Sequence, residues 1–241
     1  MRLLDLGFST PEENLAMDEA ILDAVALGNA PATLRFWECP VRFVVLGSAQ
    51  TLRKEVNEEH CAADGVPILR RCTAGGCVLQ GPGSLNYALM LPYAEFPETA
   101  DLHQSYCFIL HRMSEALASL GVAARHEGVC DLAVSGLKVS GNAQRRKRHA
   151  FLHHGTLLYR ADHEGMARCL REPQDRPDYR GKRSHRDFVG ELSPTPEALR
   201  AAVSQVFSAE QVSSAPTQDE VDAMRRLVTE KYATVEWTHR R

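Results

Sequence analysis

Three short segments hold residue types that could do chemistry. In Arg70-Arg71-Cys72-Thr73-Ala74-Gly75-Gly76-Cys77 an apolar run ends in two arginines and enters a small, glycine-rich loop. Adjacent glycines let a backbone approach a ligand closely and aim its N–H groups at an anion. Arginine adds a rigid fork of donors matched to phosphate or carboxylate. No Gly-Lys-Ser/Thr follows, so the loop is not a Walker A, and no GxGxxG opens a helix there. The bland alternative is a β-turn with two solvated arginines. The second segment is Leu137-Lys138-Val139-Ser140-Gly141-Asn142-Ala143-Gln144. Strand alternation puts Lys138 and Ser140 on one face, with Leu137 and Val139 on the other. A lone strand lysine is ordinarily a solubilising charge, but beside small polar groups it could act as an electrophilic ammonium on a ligand's oxygens. The third is His153-His154-Gly155-Thr156. Adjacent strand histidines point to opposite faces, so they make no two-ligand metal site; one is expected exposed and one hydrogen-bonded in the core.

Seven cysteines stand at 39, 61, 72, 77, 107, 130 and 169, with no CxxC spacing. That is neither a zinc framework nor a secreted disulfide framework, and reduced thiols in a cytoplasmic protein are expected. Cys130 and Cys77 are the candidate nucleophiles, against the plain reading of each as an inert small side chain. Arg145-Arg146-Lys147-Arg148 is a basic run, expected at a solvated hairpin tip.

The elements that must position these segments follow from pattern. Thr10-Pro11-Glu12-Glu13 reads as a capping box with proline at the first helical position, opening a helix over about 11–27 with Leu15, Leu22 and Val25 on one face. Strands are expected at Thr33–Trp37, Arg42–Leu46, Val66–Arg71 and Leu85–Pro92, with a helix near Val56–Asp64 and a loop with extended flanks over 72–84. Leucines and aromatics at helical spacing mark a second long helix over 103–120. Strands at Asp131–Ser135, Leu137–Ser140 and Phe151–Tyr159 follow, the last two flanking a turn at Gln144–His149. Thr195-Pro196 and the capping box Thr217-Gln218-Asp219-Glu220 open two further helices. The irregular order argues for an α+β fold with a mixed, mostly antiparallel central sheet flanked by helices. The polar, proline-containing stretch 172–194 reads as a connector or lid.

The length of 241 residues allows one large domain or two small ones; one catalytic domain over 1–241 is expected. Apolar residues at 44% and charged residues at 24% fit a soluble globular chain. A net charge of −3 argues against broad nucleic-acid binding, which needs a basic footprint. No apolar run is long enough to span a membrane, and Asp5 interrupts the N-terminal one.

In this order, the segments resemble the catalytic domain of the lipoate–protein ligase and octanoyltransferase family, relatives of biotin–protein ligases. NLAMDEAIL with LRFWECP resembles the opening helix and first strand, and VVLGSAQ with EVN the next segment. RRCTAGGCVLQGPGSLNY is similar to the family's Arg-Arg and triple-glycine loop, GLKVSGNAQRR to its lysine strand, HHGTLLY to the strand after it, and EKYATVEWTHRR to the close of the domain. The resemblance implies the fold shared with class II aminoacyl-tRNA synthetases. For the ligases it implies attack of the lipoate carboxylate on ATP, with its Mg²⁺, to give lipoyl-adenylate, then transfer to a lysine of a lipoyl-domain protein. Such acceptors are the 2-oxoacid dehydrogenase E2 or glycine-cleavage H-like proteins. By that resemblance Arg70, with Arg71, would hold the phosphoryl or carboxylate end. The Ala74-Gly75-Gly76 backbone and Cys77 would pass along the acyl chain and adenylate. Lys138 would contact the oxygens around the acyl carbonyl, and Asn86 would line the site. Ser140, Gly141, Asn142, Ala143, His154, Gly155 and Thr156 complete the expected binding set, and no resident metal is expected.

The sequence departs from the family pattern in places. Ala74 replaces the first glycine of the trio, and Gln80 stands where a histidine is common. The chain ends after Glu236-Trp237, so the C-terminal accessory domain of long ligases is expected to be absent, leaving a short self-sufficient form or a need for a separate accessory subunit. The octanoyltransferase alternative needs a cysteine thioester, for which Cys130, eight residues before Lys138, is the candidate. The transferases tend to carry an arginine within the glycine trio, whereas here it ends in Gly76, which favours the ligase. A non-catalytic subunit that carries a lipoyl-adenylate or binds an acyl domain is the alternative of a different class.

Overall fold

The computed structural model describes residues 1–173, 176–210 and 215–241. The expected connector at 172–194 therefore lies outside the described residues at Gln174 and Asp175.

Ten strands are described: β1 (Arg2–Asp5), β2 (Thr33–Trp37), β3 (Phe43–Leu46), β4 (Ile68–Arg70), β5 (Val78–Gln80), β6 (Ser84–Pro92), β7 (Arg125–Glu127), β8 (Asp131–Val134), β9 (Leu137–Arg146) and β10 (Ala150–Leu158). The helices among them are α1 (Pro11–Ala26), α2 (Leu52–Glu55), α3 (Glu58–Ala63), α4 (Leu102–Ser119), α5 (His163–Cys169), α6 (His185–Phe188), α7 (Pro196–Val206), α8 (Gln218–Leu227) and α9 (Val235–Thr238). A seven-stranded sheet runs β1-β2-β6-β10-β9-β8-β7, and a three-stranded sheet runs β4-β3-β5. Within the large sheet β1 and β2 pair in parallel and the other neighbours pair antiparallel. The expected mixed, mostly antiparallel sheet flanked by helices is what the chain forms.

The strand period of two divides the core. Along β6, Leu85, Tyr87, Leu89 and Leu91 join one apolar layer with Ile109, Leu110 and Met113 of α4 and Leu199 and Val203 of α7. The alternate residues Ala88 and Met90 face Leu15, Ile21 and Leu22 of α1, with Met224 of α8 beyond. The small sheet packs Val44, Leu46 and Leu79 on Cys61 of α3 and Met166 and Cys169 of α5. Helix α1 begins as expected: Pro11 is its first residue, and the Thr10 side chain accepts from the Glu13 N–H. Thr217 and Glu220 form the full reciprocal box at the start of α8.

Some boundaries moved. β1 and β7 were not anticipated, because a short strand is indistinguishable from loop until a neighbour pairs with it. The loop expected over 72–84 contains β5. The β9–β10 hairpin is longer than expected, so Arg145 and Arg146 lie in β9 rather than at the tip. Arg145 donates to the Cys72 carbonyl at 3.1 Å, and Arg146 stacks over Tyr93 and Phe151. Two of the four basic residues are thus taken up in packing, while Arg148 stays exposed in the hairpin turn as expected. No helix among the described residues is long and apolar enough to cross a membrane.

Candidate active site

A single row of paired residues forms the floor of a cleft. Trp37 pairs with Asn86, Asn86 with Thr156, Thr156 with Gly141, and Gly141 with Asp131. Four inter-strand steps of about 4.8 Å make this floor about 19 Å long. Beside it on the same face run Ala88, His154 and Ala143, again paired across the strands. Two adjoining cavities of about 120 and 490 Å³ lie over this face and share Gly76, Cys77, Gln80, Cys130, Lys138, Gly141 and Thr156 in their walls. The small residues Gly141 and Ala143 leave room on the floor. The glycine-rich loop forms the opposite wall, with Gly75 packed near Ala143.

At one end of the floor stands Lys138. Its Nζ lies 2.8 Å from Asp131 Oδ1, and a Cβ on Gly141 would meet Lys138 Cε and Nζ at 2.8 Å, so the ammonium lies directly over Gly141. The expected shared face with Ser140 is a correction. Leu132 pairs with Ser140 and Ala133 with Lys138, which leaves Val139 as an extra residue in β9. A bulge of this kind re-aims the next side chain. Ser140 is instead fully buried beside Asn142, whose amide donates to Ser140 Oγ at 3.3 Å and accepts from the Tyr87 hydroxyl at 2.5 Å. Asn142 also donates to the Cys130 carbonyl at 2.8 Å, which fixes the turn before β8.

The two arginines divide their work. Arg70 is 0% exposed and donates to the carbonyls of Gly47, Gln50 and Thr238. It lines neither cavity, contrary to the expectation that it meets the ligand. The side chains of adjacent strand residues leave on opposite faces, and Arg70 is turned to the C-terminal segment. Arg71 lines the smaller cavity. Its guanidinium donates to Thr73 Oγ1 at 2.8 Å, the Ala74 carbonyl at 2.7 Å and the Gly76 carbonyl at 2.9 Å. It therefore braces the glycine-rich loop from inside. Ala74 and Gly75, like Arg70 and Ser140, do not border the cavities, whereas Gly76, Cys77, Asn86, Asn142, Ala143, His154, Gly155 and Thr156 do.

The far end of the cleft holds a polar network that sequence reasoning missed. Asp18, from α1, takes Arg35 Nη1 at 2.5 Å and Trp37 Nε1 at 3.2 Å, and His154 Nδ1 lies 3.7 Å away. His154 Nε2 is 2.7 Å from Thr73 Oγ1. Burial disfavours the Asp18 carboxylate, but Arg35 and then His154 outweigh it and hold its carboxyl below the usual range. Burial likewise pushes His154 down, with Asp18 pulling it partly back. The neighbouring His153 lies on the other face, as the alternation requires, between Tyr87 and Gln144, and neither histidine is exposed. Gln80, Asn86 and Thr156 close a ring of hydrogen bonds at 2.7 to 3.1 Å. An amide thus fills the place expected for imidazole. Asp18 gave no signal because a helix-face aspartate ordinarily meets water. Asp131 had one: it directly follows Cys130 and stands seven residues before Lys138.

Cys130 borders both cavities beside Lys138. Burial pushes its thiol up, the Asp131 carboxylate adds to that, and Lys138 opposes it. Its Sγ lies 3.7 Å from Asp131 Oδ1. Cys77 is pushed up more strongly by burial, despite Arg71. The segment 172–194 meets this end of the cleft: Tyr179 donates to Asp131 Oδ2 at 2.8 Å, Val189 pairs with Lys138, and Arg183 donates to the Gly136 carbonyl. Among the described residues no cluster of His, Cys, Asp or Glu is placed to hold a metal ion.

The family described as "Lipoyl protein ligase A/B catalytic domain" matches residues 10–213. The chain belongs to this family. An octanoyltransferase, LipM, of Brevibacillus brevis is 27% identical over 96% of this chain and 96% of its own length. The lipoate–protein ligase LplJ of Bacillus subtilis is 25% identical over 82% of this chain and 62% of its own length. Among solved structures, an archaeal bi-partite lipoate protein ligase from Thermoplasma acidophilum, described with its E2 lipoyl domain, superposes with a TM-score of 0.86 at 25% identity, over 99% of this chain and 95% of that one. The resemblance seen in the motifs is thus a family membership, and the chain is an enzyme of the lipoate ligase and octanoyltransferase family.

Proposed function

We propose that this enzyme transfers an eight-carbon acyl group, octanoyl or lipoyl, to a lysine of an acceptor lipoyl domain. The observation that carries the reading is Lys138, an ammonium held over Gly141 at one end of a cleft floored by small residues. An acyl chain laid along that floor puts its carbonyl beside Nζ. Attack at the carbonyl carbon builds negative charge on its oxygen, and a fixed ammonium in a partly dry site stabilises that charge more than it does the ground state. The remaining cleft, about 19 Å from Asp131 to Trp37 at the strand spacing, exceeds the length of the chain. The acceptors that fit are the lipoyl domains of 2-oxoacid dehydrogenase E2 or glycine-cleavage H-like proteins.

Two activated donors divide the family. The octanoyl thioester, taken from acyl carrier protein onto Cys130, stands first. It is supported by the octanoyltransferase that matches this chain over nearly its full length and by the thiol beside Lys138 in both cavities. It reverses the preference drawn from the glycine loop. Transfer to Cys130 breaks the donor C–S bond, forms a new one, and returns a proton to the donor thiolate. The second reading, ATP-dependent ligation of lipoate through lipoyl-adenylate, rests on a different observation. The Cys130 thiol is pushed up by burial and by Asp131, and a thiolate, not a thiol, is the nucleophile. The likeness to the archaeal bi-partite ligase supports the same reading, and with it a separate accessory subunit.

A mass-spectrometric assay on an apo lipoyl-domain protein tests both. One reaction contains octanoyl-acyl carrier protein without ATP; the other contains lipoate, ATP and Mg²⁺. Modification in the first, with an octanoyl mass on the Cys130 peptide, supports the transferase. Modification only in the second replaces it with the ligase. Modification in neither, with accessory subunits added, leaves a carrier of acyl groups and refutes the transfer reading.

A further inference from the structure

Acyl transfer to an amine needs more than a polarised carbonyl. The acceptor lysine arrives as an ammonium, with an ordinary pKa of about 10.4, and two protons must leave the nitrogen for the amide to form, the first of them before the nitrogen can attack. We propose that Asp131 receives the acceptor lysine: its carboxylate pairs with the incoming ammonium and takes the proton whose loss frees the nitrogen's electron pair for attack. This inference rests on the acyl-transfer reading above.

The geometry singles out this carboxylate. Asp131 is 5% exposed, and it is bonded to Lys138, the residue that marks the reacting carbonyl. Its Oδ1 faces Lys138 and its Oδ2 accepts from the Tyr179 hydroxyl at 2.8 Å. Cys130 Sγ lies 3.7 Å from the same Oδ1; an ionised carboxylate has about four lone-pair sites, so these three partners leave acceptor capacity. Asp131 also borders the larger cavity together with Val129, which is 70% exposed. The cavity thus opens to the surface next to the carboxylate, where a side chain from another protein can enter.

The other groups at this end are poor acceptors. Burial pushes up the Tyr179 phenol, so it holds its proton, and on the thioester route Cys130 carries the acyl group. His154 stands at the far end of the floor, with Thr73 and Asp18 at its two ring nitrogens. His185 borders the larger cavity, but its Nε2 lies 3.3 Å from the Arg171 carbonyl.

The step balances. Asp131 takes one proton from the acceptor ammonium, which frees the electron pair for the new C–N bond. Once bonded to carbon, that nitrogen is strongly acidic and gives up a second proton. The tetrahedral oxyanion, held by Lys138, collapses and breaks the bond to the departing group. A departing thiolate takes the second proton; a departing AMP leaves with its own charge and that proton goes to solvent, as does the one left on Asp131.

The test separates proton removal from carbonyl polarisation. Enzyme in excess is loaded with synthetic octanoyl-AMP, which makes activation of the acyl group unnecessary. Transfer to the apo lipoyl domain is then compared with transfer to hydroxylamine, an amine uncharged at neutral pH. For Asp131→Asn, transfer to the lysine is expected to fall by about 100-fold or more, while hydroxamate formation above the uncatalysed background stays within about threefold of wild type. Lysine transfer at the wild-type rate overturns the inference. So does an equal loss with both amines, which assigns Asp131 to holding Lys138. Wild-type enzyme that transfers to neither amine overturns the acyl-transfer reading itself, and this inference with it.

Discussion

Arg70 Nε and Nη2 donate to the carbonyl of Thr238 at 3.0 and 2.8 Å, joining β4 to a residue 168 positions later in the chain. The same guanidinium takes the Gly47 and Gln50 carbonyls at 2.9 and 2.7 Å, and Trp237 Nε1 returns a bond to the Arg70 carbonyl at 2.7 Å. Ser48 N–H in turn donates to the Thr73 carbonyl at 2.8 Å. The C-terminal segment thereby holds the strand end from which the glycine-rich loop departs.

Arg70→Ala is therefore expected to act on stability. It strands the buried carbonyls of Gly47 and Thr238 and the partly buried one of Gln50, each buried one with a penalty of about 1–3 kcal/mol. The denaturation midpoint should fall by an amount worth about 3 kcal/mol or more. An Arg70→Ala protein of wild-type stability with weakened acyl binding would return Arg70 to the ligand.

Lys138→Ala is expected to lower kcat/KM for transfer by about 10²–10³, the range for loss of an oxyanion-stabilising donor. Its loss also leaves the buried Asp131 carboxylate without its ion-pair partner, so the unfolding midpoint should fall as well, and kcat/KM is compared on folded enzyme. A Lys138→Ala enzyme with normal kcat/KM would remove the residue from the mechanism.

Cys130→Ser separates the two donors. On the thioester route it should abolish transfer from octanoyl-acyl carrier protein and remove the acyl mass from the Cys130 peptide. Unchanged transfer by a folded Cys130→Ser protein would establish that the acyl group passes directly from donor to lysine.

A Cβ on Gly47 would run into the Gly75 carbonyl. Gly47→Ala must displace the glycine-rich loop or its own strand end, an overpacking change of about 1–3 kcal/mol. Both the midpoint and acyl affinity should fall, read by denaturation and by titration with octanoyl-AMP. Wild-type affinity in this variant would mean that the loop does not wall the acyl site.

His153 sets a pH dependence. Burial, and to a lesser degree His154, depress it to about 3. The unfolded chain, with a histidine pKa near 6.5, binds a proton that the folded chain excludes. Stability from this group is fully present above about pH 6.5 and is lost as the pH falls toward 3, by up to about 1.4 kcal/mol per pH unit. Urea midpoints between pH 7 and 5 should fall in the wild type and fall less in His153→Gln. Equal slopes would refute burial of the neutral ring.

The sequence by itself determined which segments line the cleft and how they are ordered. The Arg-Arg and glycine loop, the lysine strand and the His-Gly-Thr strand could be read because strand period and glycine spacing are local properties. The opposite destinations of His153 and His154 followed from that period alone. Tertiary structure decided the rest. Which of Arg70 and Arg71 meets the cleft depends on a carbonyl at Thr238, far along the chain. Whether Lys138 shares a face with Ser140 depends on one extra residue at Val139, which no alternation rule contains. Asp18 and Asp131 became part of the site only when Arg35, His154, Lys138 and Tyr179 were folded against them. A buried carboxylate acquires its role from its partners, and only the fold selects those partners.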